Sequence, residues 1–157
     1  MRWKAAAVVL AVVAAGSLAT LPPNSDGVSR ALLAGSPIEP RTLAIFERAC
    51  QDCHSERTRF PWYSYIAPFS WLVRHDVLRG REWLNLSRWE AYPLVRKQRL
   101  LSEIANQVQD RDMPLRQYTF IHRDARLSDG DIAAIFHWTQ QERARLISGQ
   151  FVRDGSQ

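Results

Sequence analysis

The feature that most constrains this chain is a five-residue run, Cys50-Gln51-Asp52-Cys53-His54. Its two cysteines are the only ones in 157 residues, and a histidine follows the second directly. CxxCH is the attachment signature of c-type haem. The spacing has a mechanical reason. Thiols one helical turn apart can reach the two vinyl groups on one edge of a porphyrin, and the next residue brings an imidazole under the iron. A fold built on this run must therefore leave a flat apolar space beside residues 50–54. Other uses of the pair fit less well. A disulfide across so short a loop constrains little of the unfolded chain. Zinc would want two more ligands, and His75, His122 and His137 form no recognised pattern with the cysteines. A thioredoxin-like pair expects a βαβ context.

The chain start reads as an export segment. Arg2 and Lys4 precede an unbroken run of Ala, Val and Leu from Ala5 to Ala15, and Ser17-Leu18-Ala19 offers small residues for cleavage after Ala19. The stretch 5–21 would be roughly 25 Å long as a helix, at the short edge of what spans a bilayer. Residues 1–21 are thus a cleaved signal peptide or a retained membrane anchor. Either places the domain in the periplasm or on the outer face of the cytoplasmic membrane of a bacterium. The charge is mildly basic, 21 Lys and Arg against 16 Asp and Glu. The basic residues are scattered rather than run together, so nucleic-acid binding has no support.

Residues 22–39 are rich in Pro, Gly and Ser and read as a linker, and 148–157 as a flexible tail. Between them, 40–147 carries four helical patterns. The first opens at Pro40 and runs to about Ala49, with Leu43 and Phe46 on one face. The second follows Pro68 and Ser70 over Trp71–Leu84, with Gly80 as a possible interruption. The third follows Pro93 and spaces Leu94, Leu101, Ile104 and Val108 at helical intervals. The fourth has Ser128 as cap, Asp131 three residues on, and a stripe of Ile132, Ile135, Phe136 and Leu146. Alternating strand patterns are nearly absent. The expected fold is all-α, a cytochrome c-like helical domain wrapped around one covalently attached haem.

Phe60–Pro68 (FPWYSYIAP) is aromatic and holds two prolines, so it should be an ordered loop against something flat and apolar. Ordinary core filling would explain any one of its aromatics. So many together after the attachment run make Trp62, Tyr63, Tyr65 and Trp71 candidates for a haem wall. The distal ligand is expected to be Met113. Apart from Met1 it is the only methionine, and it sits before Pro114 in a polar loop, outside any apolar stripe. Thioether ligation opposite histidine favours ferrous iron and suits electron transfer. His122 and His75 are the alternative ligands; His75 otherwise decorates a helix, and His137 is a surface residue. Arg57, Arg59 and Trp62 are candidate partners for the haem propionates, with plain exposure as the other reading, and Asn85 and Ser87 are candidates for orienting the distal loop.

The segments CQDCHS, PWYSYIAPFSWLV, HDVLRGREWLNLSRW, DMP and HRDARLSDGDIAAIFHW within Cys50–Trp138 resemble the bacterial haem-binding domain family, a single-haem group related to cytochrome c. CxxCHS alone is common to many cytochromes; the PWYS-IAP-SWLV and GR--LN-S-W segments are more specific. The resemblance implies haem binding through Cys50, Cys53 and His54, with Met113 at the family's methionine-proline position. On this reading the site comprises Cys50, Cys53, His54, Met113, Trp62, Tyr65 and Arg57, with His54 and Met113 on the metal and one covalent haem c as cofactor. Three functions follow: a non-enzymatic electron carrier serving redox partner proteins, a haem-based ligand sensor or weak peroxidase with an open distal position, and a haem subunit docked on a membrane complex.

Overall fold

The computed structural model describes residues 2–17 and 31–154, with side chains over 2–15 and 31–149. Its helices are α1 (Arg2–Ser17), α2 (Pro40–Ala49), α3 (Gln51–His54), α4 (Phe69–Trp83), α5 (Leu94–Gln109), α6 (Arg116–Ile121) and α7 (Asp129–Asp154). Short 3-10 turns at Trp62–Tyr65, Leu86–Ala91 and Arg123–Ala125 join them. No strand occurs among the described residues, and the domain is all-α as its periodicity implies.

The core follows from the stripes. α5 buries Leu100, Leu101, Ile104, Ala105 and Val108, while α7 buries Ile135, Trp138 and Thr139. α2 adds Ile45 and Phe46, and the Phe46 ring meets Trp138 edge-on at 5.1 Å. Leu86 and Trp89 close the cluster from the 86–91 turn. Phe136, expected in the α7 stripe, lies 37% exposed. The start of α7 is locked as the sequence suggests. The Asp131 carboxylate accepts from the Ser128 amide, and the Ser128 hydroxyl accepts from the Asp131 amide, which is a reciprocal capping box. Arg48 on α2 pairs with the same Asp131 at 2.7 Å and donates to the carbonyls of Asp124 and Arg126.

Three boundaries differ from the sequence reading. The expected linker does not end at residue 39: Leu32 and Leu33 are 4% and 1% exposed within the core, and the Leu33 amide donates to the Leu86 carbonyl. Two leucines buried so fully contribute about 1.5–3 kcal/mol each, enough to fasten a segment whose composition alone looks loose. The expected tail is largely helix, since α7 continues to Asp154. Gly149 lies within this helix, where a glycine costs only about 1 kcal/mol. Finally, α6 occupies what was expected to be loop between the third and fourth helices. The segment expected to direct export is helical over Arg2–Ser17, while the expected cleavage after Ala19 lies outside the described residues. Among the described residues no helix is long and apolar enough to cross a membrane.

Gly80 does not interrupt α4. The helix runs through it because a side chain there would have nowhere to go: a Cβ would stand 2.5 Å from the Cys53 carbonyl oxygen. The glycine lets α4 lie directly on the Cys50–His54 turn.

Candidate functional site

The site starts at the break between α2 and α3. The Cys50 amide closes α2 on the Phe46 carbonyl, and the His54 amide donates to the Cys50 carbonyl at 2.9 Å, so residues 50–54 form one tight turn. Both cysteine sulfurs are free of any disulfide and both residues line a cavity of about 750 Å³. That volume falls in the range of small-molecule and cofactor sites, about 300–1,000 Å³. Burial, then the neighbouring Cys53, pushes the Cys50 thiol up to about 12, against a small pull from Arg48. Burial, then Asp76 and Asp52, does the same to Cys53. Both thiols are therefore protonated at neutral pH.

His54 is held by α4. Its Nδ1 donates to the carbonyls of Gly80 and Leu84, at 3.0 and 3.1 Å, where α4 ends. Burial lowers the imidazole pKa, and the two carbonyls offset this only in part, so the ring is neutral. A neutral ring carries one proton, and these bonds place it on Nδ1. Nε2 is left with its lone pair, the arrangement in which a backbone carbonyl orients a metal-binding histidine and raises its basicity. α4 can supply these carbonyls only because Gly80 allows the approach.

Met113 enters from the end of α5. Arg111 adopts a left-handed conformation (φ 59°), and the amides of Asp112 and Met113 both donate to the Gln107 carbonyl. The helix end thus fixes the methionine backbone, and Met113 lines the same cavity as Cys50, Cys53 and His54. The walls between them are apolar: Phe46, Leu84, Leu100, Ile104, Val108 and Leu127. Formal charge is confined to Asp76, Arg79 and Glu103, with His75 beside them. His75 therefore borders the cavity, although its side chain is 69% exposed and rests on Asp76.

Several expected site residues are elsewhere. Trp62 and Tyr65 are 76% and 57% exposed and do not line the cavity. The reason is local: in a 3-10 turn residues i and i+3 eclipse, so both project to the side opposite buried Ser64. Trp71 is also exposed. Tyr63 is the aromatic that turns inward, its hydroxyl hydrogen-bonded to His122 Nε2 at 2.6 Å. His122 stacks on Tyr118 at 4.4 Å and does not line the cavity, so it is placed as a partner of tyrosines rather than as a ligand. Arg57 is exposed and away from the cavity, its carbonyl accepting from Gln51. Arg59 is engaged with Asp52 at 3.1 Å. Asn85 and Ser87 brace the chain after His54: Asn85 accepts from the Ser87 amide and donates to Glu56, whose own amide donates to Ser87. His137 is exposed on α7, as expected.

Four functional positions were not read from the sequence. Asp52 binds the Arg59 side chain and accepts from the Tyr118 hydroxyl at 2.9 Å, so it ties α6 and the following loop to the attachment turn. Tyr118 lines the cavity, and burial followed by the charge of Asp52 raises its phenol pKa. Arg81 donates to the Ser55 carbonyl and to Thr58, holding the loop from the other side. Gly80 did carry a signal, because a lone glycine inside a helical pattern marks close packing as well as a break.

The haem-binding domain family matches residues 13–141, most of the chain. Among curated proteins, the cytochrome c peroxidase Ccp of Escherichia coli (strain K12) is 32% identical over 105 residues, covering 65% of this chain and 23% of that protein. The chain thus spans under a quarter of that relative. No solved structure matches.

Proposed function

Because the chain belongs to the haem-binding domain family, we propose that it is an exported, single-haem electron carrier. Cys50 and Cys53 would hold a haem c through thioethers, and His54 Nε2 and the Met113 sulfur would bind its iron. One observation carries this reading: Nδ1 of a half-buried neutral imidazole is tied to two carbonyls, in a cavity shared with two cysteines and a methionine. That donor set suits haem chemically, two thiols for the vinyl groups and a nitrogen and a thioether for the metal.

A bound haem would supply a one-electron ferrous/ferric couple, whose potential a thioether ligand would raise. The chain does the rest. Gly80 and Leu84 set the imidazole's proton and plane. The apolar walls exclude water, which keeps the site's polarity low. Gln107 anchors the Met113 backbone, and Arg79 in the cavity lining would offer a cation to the carboxylates of a bound haem. The basic and apolar start of the chain supports export, and redox proteins, free or in a membrane complex, are the partners that fit.

Protein made with haem-maturation machinery tests this directly. A pyridine haemochrome assay should report one c-type haem, and the oxidised spectrum should be low-spin with the weak long-wavelength band of sulfur-ligated iron. Met113→Ala should abolish that band. Colourless protein with both thiols titratable would overturn the reading.

The likeness to part of a cytochrome c peroxidase favours a second reading, a peroxidase-like site with an open distal position. It requires a high-spin oxidised form and rapid carbon monoxide binding in the unmodified protein, so the same spectra separate the two.

A further inference from the structure

An aromatic file leads out of the cavity. Tyr118 lines the wall and stacks on His122, with ring centroids 4.4 Å apart and planes within 20°. The Tyr63 hydroxyl and His122 Nε2 are hydrogen-bonded at 2.6 Å. Tyr63 in turn meets the Trp62 ring edge-on at 5.9 Å, and Trp62 is 76% exposed. Cavity and solvent are thus joined by four consecutive rings, and an imidazole is hydrogen-bonded to the phenol in the middle.

A phenol that loses one electron becomes a strong acid at oxygen, so its oxidation is far easier where a base already holds the hydrogen bond. Histidine is the side chain best matched to take that proton near neutral pH. We propose that Tyr63 is a redox-active tyrosine, with His122 as its proton acceptor, that relays oxidising equivalents from the cavity wall at Tyr118 to the surface at Trp62. The proposal goes beyond electron carriage and rests on the second, open-site haem reading for the source of the oxidant.

That source is a hydroperoxide reduced in the cavity, which takes two electrons and two solvent protons to become an alcohol and water. One electron would come from a ferrous haem held by Cys50, Cys53 and His54. Tyr63 supplies the other, through His122 and Tyr118, while its phenolic proton moves to His122 Nε2. A neutral phenoxyl and an imidazolium remain. A one-electron reductant at Trp62 returns the electron, and the proton returns from Nε2.

Two measurements on the haem-loaded protein test this. In one, the ferrous protein is mixed with hydrogen peroxide, freeze-quenched, and examined by electron paramagnetic resonance. In the other, a photogenerated ruthenium(III) polypyridyl complex oxidises the protein from solution, which reads the Tyr63–His122 pair without involving the haem. The expected result in both is a tyrosyl radical that Tyr63→Phe removes. His122→Phe should cut its yield by about a hundredfold, the low end of what a positioned proton acceptor contributes. Trp62→Leu should slow its quenching by ascorbate. A radical of equal yield in Tyr63→Phe, or one indifferent to His122→Phe, overturns the proposal. The haemochrome assay on the same samples reports separately whether the haem reading has failed. Circular dichroism confirms that each variant is folded.

Discussion

Gly80→Ala isolates the contact on which the site depends. In an open helix this change stabilises by about 1 kcal/mol, because alanine has the better helix propensity. Here the added Cβ would lie 2.5 Å from the Cys53 carbonyl oxygen, 3.0 Å from its carbon and 3.2 Å from the Cys53 Cβ. An ordinary contact starts near 3.4 Å, so α4 must retreat by close to an ångström from the 50–54 turn. The obstacle is backbone and cannot swing aside, which puts the cost at the upper end for overpacking, about 3 kcal/mol. The net is a loss of about 2 kcal/mol, or about 8 °C in Tm for a domain of this size. The same retreat stretches the bond from His54 Nδ1 to the Gly80 carbonyl. Thermal unfolding followed by circular dichroism measures the first effect, and the reduced-minus-oxidised spectrum of haem-loaded protein reads the second. Gly149→Ala is the control, since a Cβ there meets nothing within 4 Å and the change should stabilise. If Gly80→Ala melts at or above the parent temperature, α4 does not rest on the attachment turn as described, and the account of His54 orientation falls with it.

Other expectations follow from the same contacts. Arg48→Ala removes an ion pair to Asp131 and two bonds to backbone carbonyls, and should cost about 1–3 kcal/mol in urea unfolding. Burial raises the Asp131 pKa, but the Ser128 bonds and Arg48 outweigh it and hold the carboxyl below its ordinary 3.8. A lowered folded-state pKa contributes stability above the unfolded value and loses it as pH falls through the folded one. Asp131→Asn should therefore be less stable than the parent at pH 7, with the gap closing below pH 3.8; a constant gap in pH-dependent unfolding refutes the linkage. Asn85→Ala removes the cap on the 86–91 turn and the bond to Glu56, and should cost about 1–2 kcal/mol in the same urea assay.

The outcomes sort by range along the chain. The four long helices were legible because their signals are local: Pro40 and Pro93 at helix starts, the Ser128–Asp131 capping box, and the spacing of Leu101, Ile104 and Val108. Met113 was legible as an oddity, a methionine outside any stripe. The aromatic loop was misread. Its composition says only that it is apolar, whereas the face shown by each ring depends on the 3-10 geometry that turns Trp62 and Tyr65 outward and Tyr63 in. Leu32 and Leu33 were hidden because two leucines among Pro, Gly and Ser carry no period, and their burial depends on Leu86 and Trp89 far along the chain.

The sequence by itself determined the chemistry on offer: two thiols and an imidazole on one turn, a single methionine beyond them, and helices to enclose the space between. Tertiary structure alone decided how that chemistry is set. It brought α4 against the attachment turn so that Gly80 and Leu84 fix the imidazole proton, and it gave His122 to Tyr63 and Tyr118 instead of to the cavity. The division has a physical cause. Covalent spacing and helical period act over a few residues, but a hydrogen bond from residue 54 to residues 80 and 84 exists only once packing has closed the chain between them.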